Sequence, residues 1–276
     1  MRANFEDAYR ELAPAAARLL GLLSLPPADE IGPAAAAALA GVPEAEAREL
    51  LAALTERGLV TASGDRFSLP GDVRDEVRAK VGQDEAEAAL RRLLDHTLTP
   101  ATAGDDPQGA ALLDRERWAE AAEVMQERLD RAEQDGDPHA ILVARHDLAR
   151  ALVKTGALDR AIDLLGPLPE EFAALPDPDH RNRARALTTL GEAYLRVRRP
   201  VAATNFFGQA LEILREHGTP REQAAMFVHI ADAAHQRADH AAETAALIQA
   251  LLTQGGDPLE PPPRAGRSSR RGAGGS

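Results

Sequence analysis

The feature that most constrains this chain is a recurrence of about forty residues in its second half. Trp118, Leu158, Pro200 and His240 take equivalent places, 40, 42 and 40 residues apart. Three residues further on stand Ala121, Ala161 and Ala203, with Glu243 at the fourth place. One turn beyond come Met125, Leu165, Phe207 and Leu247. Upstream of the turns, Ala149, Gly191 and Ala231 form a second series of small residues. Small and large apolar residues at helical spacing mark close crossings, where one backbone approaches another and a bulky neighbour fills the remaining space. A two-helix unit of this size cannot bury its own apolar face, so successive units must stack.

One unit is clearest from Arg145 to Leu165. Leu148 and Leu152 face inward before the turn, and Leu158, Ile162 and Leu165 after it. Gly156 ends the first run, because glycine takes a left-handed backbone at little steric cost. This pattern resembles the tetratricopeptide repeat (TPR), although the period exceeds the usual ~34 residues. The composition agrees: hydrophobic residues are 44% and aromatics only 3%, a core of Leu, Ala and Val that suits close-packed helices. Pro167 and Pro169 should interrupt one helix, and Pro200 stands where such repeats favour an aromatic. Pro107 leaves the first repeat without a convincing first helix. Of about four repeats, two are degraded.

The first hundred residues have a different rhythm. Phe5, Tyr9 and Leu12 form a short helical lead-in; Pro14 and Pro33 each open a helix, and Glu44 to Arg57 is a third. The period then shifts to two, with strands Leu59–Ala62 and Arg66–Leu69 joined through Ser63-Gly64-Asp65. Three helices followed by a hairpin is the order of a winged helix. Two more helices are predicted, at about 72–81 and 84–98. The breaker-rich residues 99–108 read as a linker, and residues 255–276 lack the apolar side chains to fold. The expected fold class is therefore all-α, with one small β-hairpin. A winged-helix domain spans 1–98, a linker 99–106, a TPR-like α-α solenoid 107–254 and a disordered tail 255–276.

The run from Phe5 to Val60, with Tyr9-Arg-Glu-Leu-Ala-Pro-Ala-Ala-Ala-Arg-Leu-Leu20 and Ala35-Ala-Ala-Ala-Leu-Ala-Gly-Val-Pro43, is similar to the winged-helix segment of STAND-type actinobacterial regulatory ATPases. That family places the segment between a nucleotide-binding domain and TPR repeats. The resemblance implies a regulatory arm that begins where the ATPase of such a protein ends. The family's Gly-Lys-Ser/Thr phosphate loop is missing, since Ala79 precedes Lys80 and Val153 precedes Lys154. Where the family has Leu-His-Asp-Leu after the wing, this chain has Leu69-Pro-Gly-Asp72.

Several function classes are disfavoured. A net charge of −12 argues against a dedicated nucleic-acid or anionic-membrane binder. Without cysteine there is no disulfide or thiolate chemistry. No apolar run approaches a membrane span and no signal peptide is evident, so the cytoplasm is the expected compartment. No nucleophile or metallohydrolase motif is present, so no enzyme activity, cofactor or metal is expected. His229, Asp232 and His235 share a helix face, but polar groove residues fit that spacing as well as metal ligands do. Trp118 is read as packing at a repeat turn rather than as a ligand platform. The third helix carries Glu44, Glu46, Glu49 and Glu56 against Arg48 and Arg57, a poor surface for reading DNA. A DNA-binding winged-helix regulator with a peptide-sensing TPR domain is the alternative.

The favoured reading is a non-enzymatic interaction scaffold in bacterial signalling or transcriptional regulation. Its structural positions are Ala121, Ala149, Gly156, Ala161, Gly191, Ala203 and Ala231. In a TPR the first helix of each repeat lines the concave face. By that resemblance the partner groove comprises His146, Arg150, Lys154, Arg185, Glu192, Arg196, His229, Asp232 and His235. With four Arg or Lys against two acids, it should take another protein through an acidic segment or a C-terminal carboxylate.

Overall fold

The computed structural model describes Phe5, residues 8–97 and residues 117–254. The expected linker 99–106, the tail 255–276 and the first helix of the first repeat lie outside the described residues.

The described chain is mostly helical. Its N-terminal part contains α1 (Pro14–Leu22), β1 (Glu30–Ile31), α2 (Pro33–Ala40), α3 (Glu44–Glu56), β2 (Thr61–Ser63), β3 (Arg66–Ser68), α4 (Gly71–Arg78) and α5 (Gln83–Thr97). Proline opens α1 and α2, where its missing N–H costs nothing. Gly41 ends α2 with φ 71°. The expected hairpin forms, with Ala62 opposite Phe67, but β1 joins it as an unexpected third strand. All pairs are antiparallel, in the order β1-β3-β2, with Ile31 opposite Phe67. A strand of two residues in a proline-rich stretch shows no alternation for a sequence reading to detect.

The second half is a row of antiparallel helix pairs. These helices are α6 (Trp118–Asp135), α7 (Pro138–Thr155), α8 (Leu158–Leu165), α9 (Leu168–Ala173), α10 (His180–Arg196), α11 (Pro200–His217), α12 (Pro220–Gln236) and α13 (His240–Thr253). Trp118, Leu158, Pro200 and His240, aligned by sequence, are each the first residue of a helix. Gly166-Pro167 splits the second helix of its repeat into α8 and α9, as the prolines predict.

The turns repeat as well. Gly156 has φ 89°, and Arg198 and Ala238, its equivalents two residues before the next helix starts, have φ 60° and 54°. Two side chains thus occupy a left-handed conformation that favours glycine. Side-chain caps reinforce the starts: Asp137, Asp179, Thr219 and Asp239 accept from backbone N–H groups of α7, α10, α12 and α13. Thr219 and Glu222 complete a reciprocal capping box.

The small residues sit at the crossings. Ala121, Ala149, Ala161, Ala203 and Ala231 are all fully buried, and Met125, Leu165, Phe207 and Leu247 are buried beside them. A Cβ on Gly191 would lie 2.4 Å from Phe207 Cε1, so α10 and α11 cross too closely there for any side chain.

The N-terminal part does not stand apart from the repeats. Its Leu-rich core, including Leu39, Leu54, Leu90 and Leu93, continues into Ala246, Leu247, Ala250 and Leu251 of α13. Helix α5 packs between α2 and α13, and so covers apolar surface of the last helix pair.

Candidate partner-binding face

The first helices of successive pairs are neighbours, α7 against α10 and α10 against α12. Their polar side chains therefore form one continuous face. Lys154, Glu192 and His229 converge at its middle. Lys154 Nζ lies 3.6 Å from one Glu192 oxygen, and His229 Nε2 lies 4.0 Å from the other. Arg196 donates from Nη1 to the carbonyl of Val153 at 2.8 Å, tying α10 to the end of α7. Lys154 Nζ also lies 5.9 Å from the centre of the Trp118 ring. The indole packs against the small Ala121–Ala151 contact, so it serves the repeat joint while presenting a face to the cation.

Arg150 is one turn before Lys154 on the same helix, and its Nε is buried without a hydrogen-bond partner. Arg185 is exposed, with Nη1 3.4 Å from the Asn182 amide oxygen. That contact stays within α10, away from the central group. His146 is buried, with Nε2 3.0 Å from the Thr189 hydroxyl. It lies three residues before Ala149, on the stripe that crosses α10, so its ring holds helices together instead of meeting solvent. Beside it, burial pushes the Asp147 carboxyl up, but His146, Arg150 and Arg128 hold it below the usual carboxylate range.

The remaining predicted residues belong to a second cluster, where α5 meets α12 and α13. Arg91 donates from Nη1 to Asp232 at 2.6 Å. Its Nη2 and Nε donate to Glu243 Oε1 at 2.6 and 3.1 Å. The other Glu243 oxygen lies 2.9 Å from His235 Nδ1. Glu87 lies 3.1 and 3.3 Å from His240 Nδ1 through its two oxygens. Glu243 is 1% exposed and Glu87 5%.

Burial alone would favour protonation of both carboxyls. Arg91 and His235 nevertheless hold Glu243 below the usual range. Burial and the charge of Glu243 raise Glu87, only partly offset by His240. Burial weakens the Arg91 charge, but Glu243 and Asp232 more than restore it, so the guanidinium is held more firmly than in water.

Sequence reasoning placed Asp232 and His235 in the groove but gave no role to Arg91, Glu87 or His240. One signal was available: Glu243 stands where two of the other aligned repeats, and the first as well, have alanine. An acid at a helix crossing requires a partner.

Among the described residues, no helix is long and apolar enough to cross a membrane. No family model matches the chain, and no curated protein matches it. Solved structures give weak likenesses. A single-residue variant of a Podosopora anserina putative kinesin light chain with nearly identical TPR-like repeats is 16% identical, with 75% of this chain and 86% of that one covered and a TM-score of 0.45. BtubC (BKLC) from P. vanneervenii is 18% identical, with coverage of 75% and 82% and a TM-score of 0.47. A STAND protein with a tetratricopeptide repeat sensor from Pyrococcus horikoshii is 18% identical, with coverage of 90% and 45% and a TM-score of 0.40. The repeat architecture of this chain accordingly rests on its own helix packing.

Proposed function

We propose that this protein is a non-enzymatic regulatory scaffold, and that the face formed by α7, α10 and α12 receives an acidic peptide segment or a C-terminal carboxylate of a protein partner. The observation that carries this reading is the group Arg150, Lys154 and Arg196 on adjoining helices. Arg150 has a buried Nε with no hydrogen-bond partner, and Lys154 has a loose 3.6 Å pairing with the half-buried Glu192. Residues i and i+4 on one helix reach the same ligand, and guanidinium and ammonium donors suit a carboxylate. Glu192 partly offsets the positive charge, which favours a short acidic segment over a polyanion.

The N-terminal part, with its three helices and β1-β3-β2 sheet, we read as a winged helix serving as an adaptor. DNA reading is disfavoured because the α3 guanidinium best placed for it is already engaged: Arg48 donates to Glu44 at 2.8 Å and to Asp65 at 2.7 Å. The resemblance to STAND-type regulators supports a signalling role, and the absence of cysteine supports a cytoplasmic one.

The test uses labelled peptides ending in acidic residues, as free carboxylates and as amides, titrated with the full chain by fluorescence polarisation. The free acids should bind more tightly, weaken with added salt as exposed charges are screened, and lose most of their affinity to Arg150→Glu with Lys154→Glu. Equal affinity of parent and double variant, with no salt dependence, would remove the site from this face.

A further inference from the structure

The contact between α5 and the last helix pair contains more ligand chemistry than an ion pair needs. Asp84, Glu87 and His240 each offer a ligand atom within 4.8 Å of the others, and so do Glu87, His235 and Glu243. Both sets share Glu87. The geometry behind this is simple. Asp84 and Glu87 are i and i+3 on α5, and His240 and Glu243 are i and i+3 on α13, so each pair lies on one helix face. Those two helices pack together, and His235 enters from the end of α12.

Charge supplies an independent argument. Glu87 and Glu243 are the buried carboxylates among the described residues. The permanent cation that bonds Glu243 is Arg91, and it is shared with Asp232. Each carboxylate otherwise faces an imidazole. Two buried carboxyl groups thus share one permanent cation, in a place where burial makes uncompensated charge costly. Glu243 also occupies the crossing position where Ala121, Ala161 and Ala203 stand, so packing does not explain its presence.

We propose that this junction binds a divalent transition-metal ion of the zinc class, through Glu87, His235 and Glu243 with water as the fourth ligand, and that the ion fastens the N-terminal part to the last repeat. Mixed imidazole and carboxylate donors suit zinc and its neighbours, whereas magnesium and calcium favour all-oxygen sites. The ion takes the place of the hydrogen that the His235 imidazole shares with Glu243. Arg91 remains on Glu243 Oε1 as the outer group that orients that ligand.

The experiment titrates untagged, chelator-treated full-length protein with zinc by calorimetry, and with magnesium and calcium in parallel. One zinc ion per chain should bind and raise the melting temperature, and neither alkaline-earth ion should compete with it. Cobalt in its place should give the visible bands of a four-coordinate site. Glu87→Gln keeps the side-chain shape, and His235→Ala changes a side chain that is largely exposed, so both variants should fold by circular dichroism. Each should weaken zinc at least about tenfold, since even outer-shell changes cost about 10–100-fold. Failure to retain zinc at micromolar concentration would overturn the proposal. So would stoichiometric binding that neither variant weakens, which would put the ion elsewhere on the chain. If Glu87→Gln does not fold, the comparison of His235→Ala with the parent decides alone.

Discussion

Replacing Gly191 by alanine gives a test whose sign depends on the packing of the repeats. Gly191 lies inside α10, where glycine costs about 1 kcal/mol relative to alanine. At an unconstrained site the substitution would therefore stabilise by about that amount. Here the new Cβ would lie 2.4, 2.7 and 2.8 Å from Cε1, Cδ1 and Cζ of Phe207, well inside contact distance. The ring cannot easily yield: it is fully buried and stacks on His229 with centroids 5.0 Å apart. Overpacking of this kind costs about 1–3 kcal/mol. So close an approach belongs near the top of that range, which leaves a net loss of about 2 kcal/mol after the helix gain. Urea unfolding followed by far-ultraviolet circular dichroism measures it. In a Phe207→Ala background all three obstructing ring atoms are gone, and the same Gly191→Ala change should turn stabilising, by about 1 kcal/mol. A Gly191→Ala protein as stable as its parent, or one with the same sign in both backgrounds, would refute the close crossing of α10 and α11.

Two further outcomes follow from the buried groups. Arg91→Ala should destabilise by about 3–5 kcal/mol, because it strands the Glu243 charge in the interior, whereas Glu243→Ala restores the residue of the other repeats and should cost much less; equal losses in thermal melts would show that Arg91 does not compensate Glu243. The Asp179 carboxyl is pushed up by burial but held below the usual range by the Asn182 backbone N–H, His139 and the Asn182 side chain. A carboxylate depressed on folding contributes stability above its unfolded value, about 3.9, and loses it as pH falls through the folded value. Melting temperature should thus fall in acid, less steeply for Asp179→Ala, which at neutral pH should cost about 1 kcal/mol as a lost cap; parallel acid profiles would remove Asp179 from that role.

The repeat frame was legible because it follows from periodic apolar spacing. The four aligned helix starts and the buried alanines need only a period and a rule about small residues at crossings. The left-handed turns were legible at Gly156 from residue type. At Arg198 and Ala238 they were legible only through alignment with it, because neither side chain favours that conformation. Strand β1 was not legible, since two residues carry no pattern. The polar face of α7, α10 and α12 was legible only in part. His146 has the spacing of a groove residue, yet it also lies three residues from Ala149, and that stripe decided its burial.

Glu243 shows where one-dimensional reading stops. Its departure from alanine was visible as a fault in the repeat, but its partner Arg91 is 152 residues away in a part with a different rhythm. Nothing in a repeat pattern predicts that an unrelated helix will cover its last unit. Once α5 is in place, the departure and the docking explain each other. An unaccompanied acid at that crossing would destabilise the pair α12–α13, and α5 brings the guanidinium that balances it. Ala246, Leu247, Ala250 and Leu251 of that pair also share one core with Leu90 and Leu93 of α5. Solenoids need polar caps at their ends; here the N-terminal part acts as one. Asp232 and His235 are engaged in that contact, so the partner face proposed above is centred on Arg150, Lys154, Glu192 and Arg196.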